Sequence, residues 1–130
     1  MERWAQFDLG WVSVANPSTK IAPEEIVAVL ARAAGLWSLN LSRIVETIDT
    51  PTRFGFLYAT TAMHVEEGQE RFVVEFDEEH SSVTYLIEAV SRPRHPLARL
   101  AYSFTRAMQH RFRKESQQRM HEAVTAKHSR

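Results

Sequence analysis

The chain has no cysteine in its 130 residues. Disulfides, thiolate metal sites and cysteine nucleophiles are therefore excluded. Glycine is scarce, with four residues in all. Those four form no glycine-rich phosphate loop, and no serine stands in a nucleophile elbow. No apolar run approaches the roughly 20 residues needed to span a bilayer. Residues Met1 to Gly10 lack the basic start and apolar stretch of a signal peptide. A cytoplasmic location is the expectation.

What is present is ordinary for a globular domain. Hydrophobic residues make up 44% and charged residues 25%. The length suits one domain over residues 1–130, large enough to bury a core, with a disordered tail over 125–130. The formal net charge is zero but unevenly spread. From Arg92 onward only Glu115 and Glu122 oppose ten basic residues, so this part carries +8 and Met1 to Ser91 carries −8. Two readings follow. The basic part lies near an acidic sheet edge, or it meets an anionic partner such as phospholipid or nucleic acid. Without repeated aromatics on a basic sheet, nucleic acid and membrane are not the expected partners.

Along the chain, Met1 to Leu9 reads as the end of a helix, with Trp4 and Phe7 on one side and Gly10 as its stop. Trp11 to Val14 reads as a short strand, turned by Asn16-Pro17-Ser18. Ile26 to Ala34 is apolar and alanine-rich, and Pro23-Glu24-Glu25 resembles a helix start, so the residues alone favour a helix there. Leu36 to Asp49 alternates, with Trp37, Leu39 and Leu41 on its apolar side. Phe54, Phe56 and Tyr58, then Phe72, Val74 and Phe76, then Val83, Tyr85, Ile87 and Ala89 each follow the period-two pattern of a strand. Short polar connections between them indicate an antiparallel meander. A helix follows from Pro96 to about Val124, with an apolar stripe of Leu97, Leu100, Ala101, Phe104, Met108, Phe112, Met120 and Val124 that Ser116 interrupts.

Two segments carry a recognisable pattern: Arg53 to Phe76, RFGFLYATTAMHVEEGQERFVVEF, and Ser91 to Leu100, SRPRHPLARL. With Phe7-Asp8-Leu9-Gly10-Trp11 and Gly35-Leu36-Trp37, they resemble the uncharacterised family called domain of unknown function nineteen-ninety. The resemblance covers the chain from about Trp4 onward. It implies an α+β fold of the START-like, helix-grip kind: a curved antiparallel β-sheet packed on a long C-terminal helix and enclosing an apolar cavity. It also implies that Ile26 to Ala34 is strand. The chain departs from the family pattern after Tyr58. The family has Gly-Thr-Leu-Pro-Gly-His there, and this sequence has Ala59-Thr60-Thr61-Ala62-Met63-His64. The family also carries a longer N-terminal segment. Without that segment's strand and helix, one sheet edge is expected to be exposed, favouring a homodimer or completion by a partner.

The expected site lies between Arg92, His64 and Tyr58. Trp37, Phe56, Tyr58, His64, Glu70, Tyr85, Arg92, Phe104 and Met108 are the candidate ligand-binding residues. The competing reading for the aromatics and Met108 is plain core. His64, beside Glu66, Glu67 and Glu70, is either an acid–base group or a turn cap. Arg92, Arg94 and His95 form either an anion site or a structural clamp in which Arg92 pairs with Glu70 or Glu88. No histidine pair has metal-ligand spacing, and neither metal nor cofactor is expected. The leading expectation is a binding module for a small apolar or amphipathic molecule. The alternatives are a cyclase- or hydratase-type enzyme using His64, Glu70 or Tyr58, and an interaction protein using the basic helix.

Overall fold

The computed structural model of the chain describes residues 1–62, 66–93 and 100–128. Period-two alternation and short turns dictate most of it. Strands β1 (Val12–Val14), β2 (Ile26–Ala33), β3 (Leu36–Asp49), β4 (Arg53–Thr60), β5 (Glu66–Asp77) and β6 (Ser82–Pro93) pair strictly in chain order. Every pairing is antiparallel. The result is a curved six-stranded half-barrel that holds one long C-terminal helix, α1 (Tyr102–His128). It is the α+β architecture expected.

The curvature has a local cause. The register of β3 against β4 slips between Ile44 and Glu46, leaving an extra residue at Val45. Such a bulge bends its strand and raises the twist. At the opposite edge, β1 is only three residues long. Asn16 continues the pairing where β1 stops: its side chain donates to Ile26 O (2.8 Å) and accepts from Ala28 N–H (3.0 Å). The amide side chain thus satisfies backbone groups that a longer strand would have paired.

Ile26 to Ala33 forms a strand and not a helix, as the resemblance implied and the residues alone did not. Val27 and Val29 face the concave side and are buried, while Ala28 and Leu30 face the convex side. A strand with apolar residues on both faces gives no alternation, so its pattern matches a helix equally well.

The N-terminal segment is also different from the expected helix end. It makes a single 3-10 turn, Ala5–Phe7, entered through Trp4 in a left-handed conformation (φ 58°). The turn is short because its task is to drive two rings inward. Phe7 is 1% exposed and sits 5.3 Å from Phe72 and 5.4 Å from Phe112, ring centre to ring centre. Trp4 lies edge-on to Phe56 at 5.5 Å. These rings with Tyr58, Ile44 and Val27 form the core between sheet and helix.

Helix α1 crosses the concave face through Phe112, Ser116 and Met120, one turn apart. Ser116 does not interrupt the buried stripe. It is fully buried, and its Oγ lies 3.1 Å from the Tyr85 hydroxyl. A small hydroxyl side chain there admits the Tyr85 ring and supplies the partner a buried phenol needs. Burial holds the Tyr85 phenol well above its ordinary pKa. Val124, by contrast, is exposed, and the helix continues past it to His128. Pro96 and Leu97 lie outside the described residues.

Polar ties fix the helix to the N-terminal segment. Arg119 pairs with Asp8 at 2.9 Å. Trp11 Nε1–H donates to Glu115 at 2.5 Å, Arg111 Nε donates to the same carboxylate at 2.7 Å, and the Arg111 guanidinium stacks 4.6 Å from the Trp11 ring centre. The bond from Arg111, then that from Trp11, holds the Glu115 carboxyl below the ordinary glutamate value. A depressed pKa means that the native state favours the carboxylate. The stabilisation is therefore present above the ordinary glutamate value and is lost as pH falls through the depressed one. Glu115→Gln is expected to be less stable than wild type at neutral pH, by about 1 kcal/mol or less given its exposure. The gap should close on acidification, as read by Trp fluorescence during urea unfolding at a series of pH values. A gap that does not change with pH would contradict this role.

Candidate functional site

The core does not fill the concave face. Beyond Phe7, Tyr58 and Phe112, toward the start of α1, a hollow of about 360 Å³ remains. Its walls come from every layer of the fold. Trp11 and Val12 close one side, and Val29, Ala31 and Ala33 of β2 another. Phe104, Thr105, Met108, Gln109 and Phe112 of α1 form the roof. Ser38, Ser91 and Phe104 are exposed, so the hollow opens to solvent at the end of the sheet where β3 begins and β6 ends.

The polar groups in these walls are few and mostly tied to one another. The Tyr58 hydroxyl donates to Glu70 Oε2 at 2.7 Å. Tyr58 and Glu70 face each other across β4 and β5. Burial, and then the neighbouring Glu70 carboxylate, raise the Tyr58 phenol well above its ordinary pKa. At neutral pH Tyr58 is therefore a proton-bearing donor and not a base. Gln109 Nε2 donates to Ser91 Oγ at 2.9 Å, joining helix to β6 at the rim. Asn40 Nδ2 donates to Ser38 Oγ at 3.2 Å, while Asn40 Oδ1 is buried with no protein partner.

The sequence candidates separate into three groups. Tyr58, Glu70, Phe104 and Met108 come together around the hollow. Phe56 and Tyr85 lie beside it in the packed core, Phe56 fully buried and Tyr85 bonded to Ser116. Trp37 and Arg92 stand elsewhere. Trp37 is 59% exposed on the convex face, under the Arg32 guanidinium at 5.8 Å. Arg92 neighbours Ser91 in β6 and so points to the opposite face, where it pairs with Glu67 at 3.1 Å and not with Glu70 or Glu88. Glu88 pairs instead with Arg71. His64, Arg94 and His95 lie outside the described residues.

Three wall residues were missed: Ser38, Asn40 and Ser42 of β3. The alternation of β3 groups Trp37, Leu39 and Leu41 on its apolar side, and of these Trp37 is the expected site residue. The inward side is the polar one, because Ser42 pairs with buried Val27 and Asn40 with Val29. The signal was visible as a second period-two row, Ser38, Asn40 and Ser42. Only the pairing says which row faces the helix. After Tyr58, two threonine hydroxyls tie the chain to its neighbours. Thr60 Oγ1 accepts from Gly68 N–H at 3.0 Å, and Thr61 donates from Oγ1 to Leu41 O at 2.9 Å.

Among the described residues, no three His, Asp or Glu side chains stand together as a metal ion would need. No helix among them is long and apolar enough to cross a membrane.

A family model described as domain of unknown function (DUF1990) matches residues 1–119. The chain belongs to this family. It is 34% identical to a UPF0548 protein of Dictyostelium discoideum over 95% of this chain and 62% of that one. A UPF0548 protein of Arabidopsis thaliana is 24% identical over 97% of this chain and 63% of its own length. One from Deinococcus radiodurans is 36% identical over 62% of this chain and 40% of its own. The chain thus spans less than two thirds of the length of the curated relatives it matches. No solved structure matches it. Within the DUF1990 match fall all of β1 to β6 and the part of α1 that roofs the hollow.

Proposed function

We propose that this DUF1990 chain binds a small apolar or amphipathic molecule between the concave sheet face and α1. One observation carries the reading: a hollow of about 360 Å³, walled mainly by aliphatic and aromatic side chains, with few polar groups at fixed positions. That volume lies in the range of roughly 300–1,000 Å³ typical of small-molecule sites. A well-packed core leaves few voids larger than a water molecule. We read the curved sheet and long helix as a START-like arrangement, which favours the same reading by analogy. The Tyr58 phenol keeps its proton and gives it to Glu70, which suits a fixed binding wall better than a catalytic base.

Pyrene, which has no polar atom, is the direct probe. Wild type is expected to bind it saturably, with the vibronic band ratio of an apolar surrounding. Ala89 lines the hollow opposite Glu70. Ala89→Trp fills that space and should weaken pyrene binding by about tenfold or more, with an unchanged circular dichroism spectrum. Wild-type protein that leaves the pyrene spectrum unmoved would sink the reading.

A further inference from the structure

Among the described residues, the two most exposed large apolar side chains are Leu100 (86%) and Leu36 (75%). Both border the mouth of the hollow. Leu36 pairs with Ala33 and precedes Ser38, and Leu100 precedes Phe104; Ala33, Ser38 and Phe104 all line the hollow. Leu36 belongs to the β2–β3 hairpin, whose turn residues Ala34 and Gly35 both have positive φ (51° and 76°). A two-residue turn of that kind matches the twist of its strands and gives a tight, fixed tip. Strand alternation puts Leu36 on the concave side and exposed Trp37 on the convex side, so the tip is apolar on both faces. Across the mouth, α1 begins with exposed Tyr102 and Phe104. An arginine stands over each outer ring: Arg32 is 5.8 Å from Trp37, and Arg106 is 5.9 Å from Tyr102. Neither arginine has a carboxylate partner among the described residues. Neither 31–39 nor 100–109 contains Asp or Glu. Single exposed apolar residues are ordinary, but a gathered patch rimmed by charge marks a contact surface.

We infer that this end of the molecule docks on the surface of an anionic lipid bilayer. Leu36 and Leu100 enter the acyl boundary, Trp37 and Tyr102 lie at the headgroup level, and Arg32 and Arg106 meet the lipid phosphates. Amphipathic rings and basic side chains are the groups that settle at that depth. Uncompensated arginines match a negatively charged surface. A folded partner would cover one face of the hairpin tip, whereas a fluid apolar layer covers both. The two apolar stretches are short and far apart in sequence, so neither reads as a membrane element until the fold brings them to one mouth. Docked in this way, the hollow opens toward the bilayer and can take its ligand from there. That route rests on the proposed binding function; the docking itself does not.

The test is flotation of the whole chain with vesicles of phosphatidylcholine alone or mixed with phosphatidylglycerol. Wild type should float with the mixed vesicles and lose them as salt rises. Trp37 is the most exposed tryptophan, so its emission should shift to the blue on binding. Leu36→Ser combined with Trp37→Ala should weaken vesicle binding by about tenfold or more. Arg32→Gln combined with Arg106→Gln should weaken it by a similar factor on the mixed vesicles. None of these four residues lines the hollow, so circular dichroism and lipid-free pyrene binding should match wild type in both variants. No flotation of wild type, equal flotation with phosphatidylcholine alone, or full binding by the Leu36/Trp37 variant overturns the docking. So does a dimer in gel filtration that this variant breaks while wild type ignores vesicles, because the mouth is then a contact between copies. Failure of pyrene to bind while vesicles do overturns the proposed function and leaves the docking standing.

Discussion

Phe72→Ala is expected to lower stability by about 3–5 kcal/mol, the range for deleting a buried aromatic ring. Phe72 is fully buried and is the hub of the ring cluster. Its centre lies 5.1 Å from Phe56, 5.3 Å from Phe7, 5.6 Å from Tyr58 and 6.3 Å from Phe112. Those partners come from β4, the N-terminal turn and α1, so the void opens where sheet, turn and helix meet. None of the three can collapse into it without breaking its own pairing or packing. A domain of this size has about 5–15 kcal/mol of total stability. The loss should lower Tm by roughly 10–20 °C in a calorimetric scan. Phe76 is the control, because it is in the same strand but 41% exposed. Phe76→Ala should stay within about 1 kcal/mol of wild type. Equal effects at the two positions would show that the ring cluster is not the core.

Gly55→Ala should be nearly as damaging, by about 3 kcal/mol, at the top of the usual range for overpacking. A Cβ at Gly55 would collide with the Phe72 carbonyl oxygen and stand 2.9 Å from Val73 Cα. Both obstacles are backbone of the neighbouring strand, so the only relief is to separate β4 from β5. Val73 is 1% exposed and lies over the glycine. Gly35 makes the comparison sharp. It needs a left-handed conformation (φ 76°), and a Cβ there meets nothing within 4 Å. Gly35→Ala should cost only about 1–2 kcal/mol, the conformational penalty alone. Urea midpoints for the two variants give the order directly. A Gly55→Ala protein as stable as Gly35→Ala would refute the close approach of β4 and β5.

The candidate site was legible in part, and the boundary follows from physics. Tyr58, Phe104 and Met108 line the hollow because aromatic and thioether side chains on inward positions of regular elements tend to surround whatever space remains, and Glu70 joins them by its register with Tyr58. Trp37 was misplaced because period-two alternation has two faces and does not label them. Arg92 was misplaced for a related reason. The residues alone offered it Glu70 or Glu88 as a partner, and the strand register chose Glu67 instead. Ser116 looked like a gap in a stripe because hydropathy scores a side chain, not its partner. Beside Tyr85 a serine is the residue that fits. Among the described residues, the charge asymmetry is met by local contacts such as Asp8 with Arg119.

By itself the sequence determined the element types from β3 onward, the antiparallel meander, the long final helix and the absence of any cysteine chemistry. Each of these depends on spacing between neighbours in the chain, which the chain displays. Tertiary structure alone decided which face of the strand Ile26 to Ala33 is buried, that the serine and asparagine row of β3 faces the helix, and that Phe7 reaches the core from a single turn. It also decided that a hollow remains at all. These outcomes depend on bulge, register and crossing of the helix, set by contacts between residues far apart in sequence. No local pattern carries that information.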